Sequence, residues 1–257
     1  MKFSRELLVD EVLGETFHLY RRKFLPLILP TMVAGVSTAL AFLLINWFFP
    51  SPSIPSVTFP SGEIKRLDTV IREVLVFAVM AIAKGFLLFT IFWILNVFAY
   101  SVIIKYSVDA LQKNNVKLSV SLTFVASKFV PIFKISFATA FLIYFGLLFL
   151  VVPGILLMIM FSLSIQVLII EDKDVFESLK RSMELVLGRW GKTFGLLFAL
   201  CLLILFVMVP VSLVTNLVFS AEVASILNSV VVALIQPIVP IAFSLWYYSM
   251  RAREKSF

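Results

Sequence analysis

"EDKDVFESLKRSMELVLGRWGK" fills residues 171–192, between two runs of almost unbroken apolar residues. Its reading decides where the chain meets water. Asp174 stands three residues before Glu177, a capping-box-like start. Val175, Phe176, Leu179, Met183, Val186 and Leu187 then share one face at helical spacing. Glu177 with Arg181 and Lys180 with Glu184 form i,i+4 pairs on the other face, and Gly188 offers a stop. A helix over 174–187 is about 21 Å long, too short and too charged to cross a bilayer. It is expected to lie along the inner membrane surface, apolar face toward lipid. Arg189, Trp190 and Lys192 form a corner at headgroup level that feeds the next apolar run.

The flanking runs set the class. The chain has 257 residues, 61% of them hydrophobic and 14% charged, with mean hydropathy +1.06. Soluble domains hold roughly 45–50% apolar and about 25% charged residues. The reading is an all-α polytopic membrane protein, a single integral membrane domain over 1–257. Spans are expected near 25–49, 86–106, 131–152, 155–170, 193–218 and 224–249, with a further interfacial helix at 4–22 and a short amphipathic element at 117–129. The prolines and serines of 50–63 mark a loop outside the hydrocarbon.

Residues 67–111 are ambiguous, because one helix of that length would be about 67 Å. Lys84-Gly85 reads as a joint between an interfacial helix at 68–83 and the true second span. One long tilted helix is the alternative. Pro153-Gly154 reads as a tight turn, which leaves the fourth span short enough to thin the bilayer locally.

Charge distribution orients the spans. Lys2, Arg5, Arg21, Arg22, Lys23, Lys105, Lys113, Lys117, Lys128, Lys173, Lys180, Arg181, Arg189, Lys192, Arg251, Arg253 and Lys255 fall on one side. Only Lys65, Arg66 and Arg72 fall on the other. The bias predicts a multi-pass protein of the cell membrane with both termini cytoplasmic. The net charge of +7 is spread around the spans rather than gathered into a patch, so nucleic acid is not an expected partner. Residues 1–23 do not read as a cleaved leader, since Glu6, Asp10, Glu11 and Glu15 precede the apolar run.

The corner recurs. "TFHLYRRKF" (16–24), "SLTFVASKF" (121–129) and "SMELVLGRW" (182–190) each begin with a hydroxyl residue. Each ends in a basic–aromatic pair, Lys23-Phe24, Lys128-Phe129 and Arg189-Trp190, and opens an outgoing span. The pattern predicts a pseudo-repeat of short helix, corner, outgoing span and returning span.

Residues 151–200 resemble the signature of the membrane-domain family named after glycerophosphodiester phosphodiesterases. The resemblance rests on Pro153-Gly154, Glu171-Asp172, Phe176, Leu179, Arg181-Ser182, Glu184-Leu185 and Gly188 before Arg189-Trp190, with "ETFHLYRRKFLPL" in support. It implies a six-span fold and a membrane location. It implies no activity, since spans and connectors occupy the chain and a single histidine cannot supply the catalytic domain's metal and acid–base set.

Candidate sites follow. Arg21, Arg22, Lys23, Phe24, Lys128, Phe129, Lys180, Arg181, Arg189, Trp190 and Lys192 are expected at lipid headgroups, anionic ones in particular, or at a protein partner or second copy. Lys84, Asn96, Gln166 and Gln236 are intramembrane polar residues. They either line a solute path, or snorkel and bond between helices. Asp109, Glu171, Asp172 and Asp174 read as caps and solvated charges rather than a metal site. His18 and Cys201 are each the only residue of their type, so no catalytic residue, metal site or cofactor is expected. The leading expectation is a non-enzymatic membrane scaffold, lipid-handling unit or accessory subunit. The alternative is a small transporter or channel for a lipid or hydrophobic solute, motivated by Lys84 and the proline-broken fifth and sixth spans.

Overall fold

The computed structural model describes residues 5–49, 67–112 and 116–254. The expected loop at 50–63, and Lys2, Lys65, Arg66, Lys113 and Lys255, lie outside them. Every regular element among the described residues is helical: α1 (Val9–Arg22), α2 (Phe24–Phe48), α3 (Leu67–Gln112), α4 (Leu118–Ser127), α5 (Phe129–Phe149), α6 (Val151–Met160), α7 (Ser164–Glu171), α8 (Val175–Val186), α9 (Trp190–Val218), α10 (Ala221–Ile235) and α11 (Ile238–Glu254).

Among the described residues, six helical stretches are long and apolar enough to span a membrane: Phe24–Phe48, Ile71–Gln112, Phe129–Phe149, Val151–Glu171, Trp190–Val218 and Ile226–Ala252. The chain is an all-α, multi-pass integral membrane protein. It divides into two compact units, Met1–Val33 with Asn96–Phe257, and Ala34–Leu95.

Three expectations need correction. No joint exists at Lys84-Gly85, because α3 is a single helix of 46 residues. A glycine within a helix costs only about 1 kcal/mol relative to alanine, too little to break a run of strong helix formers. Pro153-Gly154 is not a turn but part of the first helical turn of α6, where a missing N–H is harmless. The reversal is made at Leu150 in extended conformation (φ −161°, ψ 146°). The fourth span therefore runs from Val151 to Glu171, long enough to cross without thinning the bilayer. That span is also broken at Phe161–Leu163, between α6 and α7, which its apolar composition did not announce.

Within the larger unit, each short helix runs antiparallel to the end of a returning span. α4 folds back on α3, with Lys105 over the Phe124 ring at 4.7 Å and Phe98 beside Phe129. α8 folds back on α7 through Asp172, which takes the left-handed conformation (φ 52°). α1 takes the corresponding place beside the last span. The Leu7 amide donates to Ser249 Oγ at 2.8 Å, and the Tyr20 hydroxyl donates to the Leu234 carbonyl at 2.6 Å. The N-terminal helix thus supplies to α11 what α4 supplies to α3 and α8 to α7.

The three corners share one backbone solution. Lys23, Lys128 and Arg189 have (φ, ψ) of (−123°, 38°), (−104°, 14°) and (−140°, 16°). Each amide closes the short helix, on Leu19, Phe124 and Val186 in turn. Each carbonyl opens the span, accepting from Leu27, Ile132 and Thr193 at 3.3, 3.1 and 3.0 Å. The hydroxyl residues that open the repeats, Thr16, Ser121 and Ser182, are fully buried, as are Leu27, Ile132 and Thr193.

The packed core holds the short helices and the span ends beside them: Leu7, Val12, Leu163, Val167, Leu185, Leu196 and Ile241–Tyr247 among others. The opposite ends, at the α5–α6 and α9–α10 reversals, expose the side chains of Leu148–Val152, Leu213, Val214 and Leu217–Phe219 broadly. Surface so apolar needs lipid rather than water around it.

Candidate functional site

α8 shows how the expected amphipathic helix is used. Asp174 caps it, accepting from the Glu177 amide at 2.8 Å, and Gly188 ends it at φ 81°. Its buried line is Ser178, Ser182, Leu185 and Val186. Small hydroxyl residues let α8 approach α7 closely. Phe176 and Leu187, from the expected apolar face, point away from the protein, Phe176 at 84% exposure. Ser182 enters the break in the fourth span: its hydroxyl donates to Met160 O at 2.7 Å and accepts from the Leu163 amide at 3.2 Å.

The basic candidates separate into two groups. Some are turned inward. Arg181 Nε lies 3.5 Å from Glu171, whose carboxylate also accepts from the Tyr247 hydroxyl at 2.6 Å. Arg189, with a side chain 10% exposed, reaches Glu6 at 3.5 Å and Met250 Sδ at 3.2 Å. Lys128 pairs with Asp172 at 2.7 Å at the surface. Lys23 is the half-buried corner of α1, while Phe24 packs edge-on against Tyr20 and Phe129 packs against Phe133. The others face outward: Arg21, Arg22, Lys180, Trp190 at 60% exposure, and Lys192, whose side chain is 53% exposed and bonds Glu6 at 3.0 Å.

Two of the intramembrane candidates in the larger unit meet. Gln236 Nε2 donates to Asn96 Oδ1 at 2.5 Å, joining the end of α10 to α3. Gln166 is 1% exposed on α7, on the far side of the fourth-span break from Met160. In the smaller unit, Lys84 donates to the Phe49 carbonyl at 3.0 Å, at the end of α2. A cation there meets the negative end of a helix. Among the described residues, no group of His, Cys, Asp and Glu is arranged to hold a metal ion.

A feature that sequence reasoning missed lies between α1 and α9. Leu13, Phe17, Ala199, Leu202, Leu203, Leu205, Phe206, Val209 and Pro210 line an open, almost wholly apolar groove of about 710 Å³. Its α9 wall belongs to a helix long and apolar enough to span a membrane. The recurrence of Lys23-Phe24-Leu25-Pro26-Leu27 as Lys128-Phe129-Val130-Pro131-Ile132 was a stronger repeat signal than the basic–aromatic pair alone. Comparison of the chain with family models, with curated proteins and with solved structures finds no match.

Proposed function

We propose that this integral membrane protein is a non-enzymatic lipid-handling unit of the cell membrane, which seats an acyl chain in the groove between α1 and α9. The groove carries the reading. It is apolar, and its volume of about 710 Å³ is in the range of ligand sites. In this reading the end bearing the three corners is cytoplasmic, which the excess of Lys and Arg there supports. Phe176, Leu187 and Trp190 then meet the inner leaflet. The resemblance to the membrane domains named after glycerophosphodiester phosphodiesterases fits this placement and adds no activity to it.

A transport path finds less support. Asn96 and Gln236 bond one another, and Lys84 caps a helix end, so three of the residues that motivated a path are engaged elsewhere.

Native mass spectrometry of the purified chain tests the proposal. Lipid is expected to co-purify. Leu202→Trp and Ala199→Phe, which fill the groove, should each strip most of it while leaving the melting temperature within a few degrees. Undiminished lipid in both variants would defeat the assignment.

A further inference from the structure

We propose that the groove selects an anionic phospholipid, its phosphate on Lys192 and its acyl chain running along α9 past Gly195, Ala199, Leu203 and Phe206. This rests on the groove's being a lipid seat and adds which lipid it takes.

Lys192, Gly195, Ala199, Leu203, Phe206 and Pro210 recur at steps of three and four along α9, so they share one helix face. Ala199, Leu203, Phe206 and Pro210 line the groove itself. Gly195 extends that line toward Lys192, and a Cβ added there would meet nothing within 4 Å. The surface between the groove and the lysine is therefore low and unobstructed. Lys192 precedes Ala199 by two helical turns, a rise of about 10 Å. That rise suits a headgroup phosphate at the lysine and chain methylenes at the alanine.

The charge is of the right sign and is available. Among the described residues, Lys192 Nζ is engaged by Glu6 Oε1, at 3.0 Å. An ammonium has three donors, so the others are open to a phosphate oxygen. Glu6 holds the ammonium at the groove mouth rather than neutralising it outright, since the same Oε1 also lies 3.5 Å from Arg189. Trp190, exposed two residues earlier, marks headgroup level.

The full chain, equilibrated with vesicles of phosphatidylglycerol or phosphatidylcholine and read by native mass spectrometry, tests this. The wild type should prefer phosphatidylglycerol by about five-fold, the scale of one surface cation. Lys192→Gln should keep bound lipid and lose the preference, and Lys192→Arg should retain it. Glu6→Gln releases the ammonium and should sharpen the preference. A merely structural ion pair predicts instead that Glu6→Gln and Lys192→Gln act alike. An unchanged preference in Lys192→Gln overturns the headgroup assignment. Lipid retained in Leu202→Trp and Ala199→Phe overturns the groove itself, so the two failures are distinguishable.

Discussion

The Tyr247 hydroxyl donates to Glu171 Oε1 at 2.6 Å, joining the last span to the end of the fourth. Glu171 also faces Arg181 and Lys173, each at 3.5 Å, and Arg251 lies 3.4 Å from the Tyr247 oxygen. One carboxylate thus ties α7, α8 and α11 together. Hydrogen bonds to charged groups contribute about 1.5–3 kcal/mol. Tyr247→Phe should destabilise the fold by that amount. Glu171→Ala should cost more, because it also removes the ion pairs to Arg181 and Lys173. Thermal unfolding in detergent checks both, and a Glu171→Ala no weaker than Tyr247→Phe would show that the carboxylate is not the hub.

The fold was legible where its determinants are local. Apolar runs gave the spans, and Lys23-Phe24, Lys128-Phe129 and Arg189-Trp190 gave the corners, because a basic residue beside an aromatic marks headgroup level. What stayed hidden depends on distant packing. Gly85 looks like a joint, yet nothing near it compels a bend. Ser182 reads as one polar residue of an amphipathic helix until α8 is folded onto α7. The groove lining is Leu, Phe and Val, the same residues that face lipid anywhere. Among the basic candidates, only burial against other helices separates the inward Arg181 and Arg189 from the outward Lys192.

Ser182 replaces backbone hydrogen bonds that the fourth span loses at Phe161–Leu163. Ser182→Ala leaves the Leu163 amide and the Met160 carbonyl without that partner in a buried setting, at a cost of about 1–3 kcal/mol. The local signature is sharper than the global one. Amide exchange around Leu163 should accelerate by roughly ten-fold or more, since 1.4 kcal/mol is a factor of ten. Protection that survives the substitution would mean the break is held by other contacts.

Glycines offer a contrast within one chain. A Cβ at Gly154 would fall 2.7 Å from the Leu147 amide nitrogen and still nearer that residue's side chain, forcing α5 and α6 apart. At Gly146 the nearest obstacle is Leu157 Cδ1 at 2.7 Å, the end of a flexible side chain. Gly154→Ala should therefore destabilise by more than Gly146→Ala. Gly85→Ala meets open space within a helix and should stabilise by about 0.5–1 kcal/mol. Melting temperatures order the three. A destabilising Gly85→Ala would revive the joint.

Asn96 and Gln236 bridge two spans by one side-chain bond. Such bonds in membranes average about 0.6 kcal/mol and reach about 1.7. Asn96→Ala and Gln236→Ala should each fall in that range. The double variant should cost less than their sum, because both remove one shared interaction. Strict additivity would indicate that each amide acts through separate partners.

The foot of α1 should be sensitive to acid. Arg5 is hydrogen-bonded to the Glu11 carboxylate, and the Leu8 amide donates to Glu11 Oε2 at 2.9 Å. The Arg5 hydrogen bond, then the Leu8 amide, hold the Glu11 carboxyl below its ordinary range. A carboxyl depressed in the folded state contributes stability above its unfolded pKa and loses it as pH falls through the folded value. The first turn of α1 should therefore loosen below about pH 4, the ordinary carboxylate range. Faster amide exchange at Val9–Val12 in acid, relative to neutral pH, is the expected readout after correction for intrinsic rates. Glu11→Gln should show the looser state already at neutral pH and respond less to acid. Because Leu7 anchors α1 to Ser249 independently of this carboxylate, the rest of the helix should stay docked. Loss of the whole α1–α11 contact at the same pH would place the control elsewhere than Glu11.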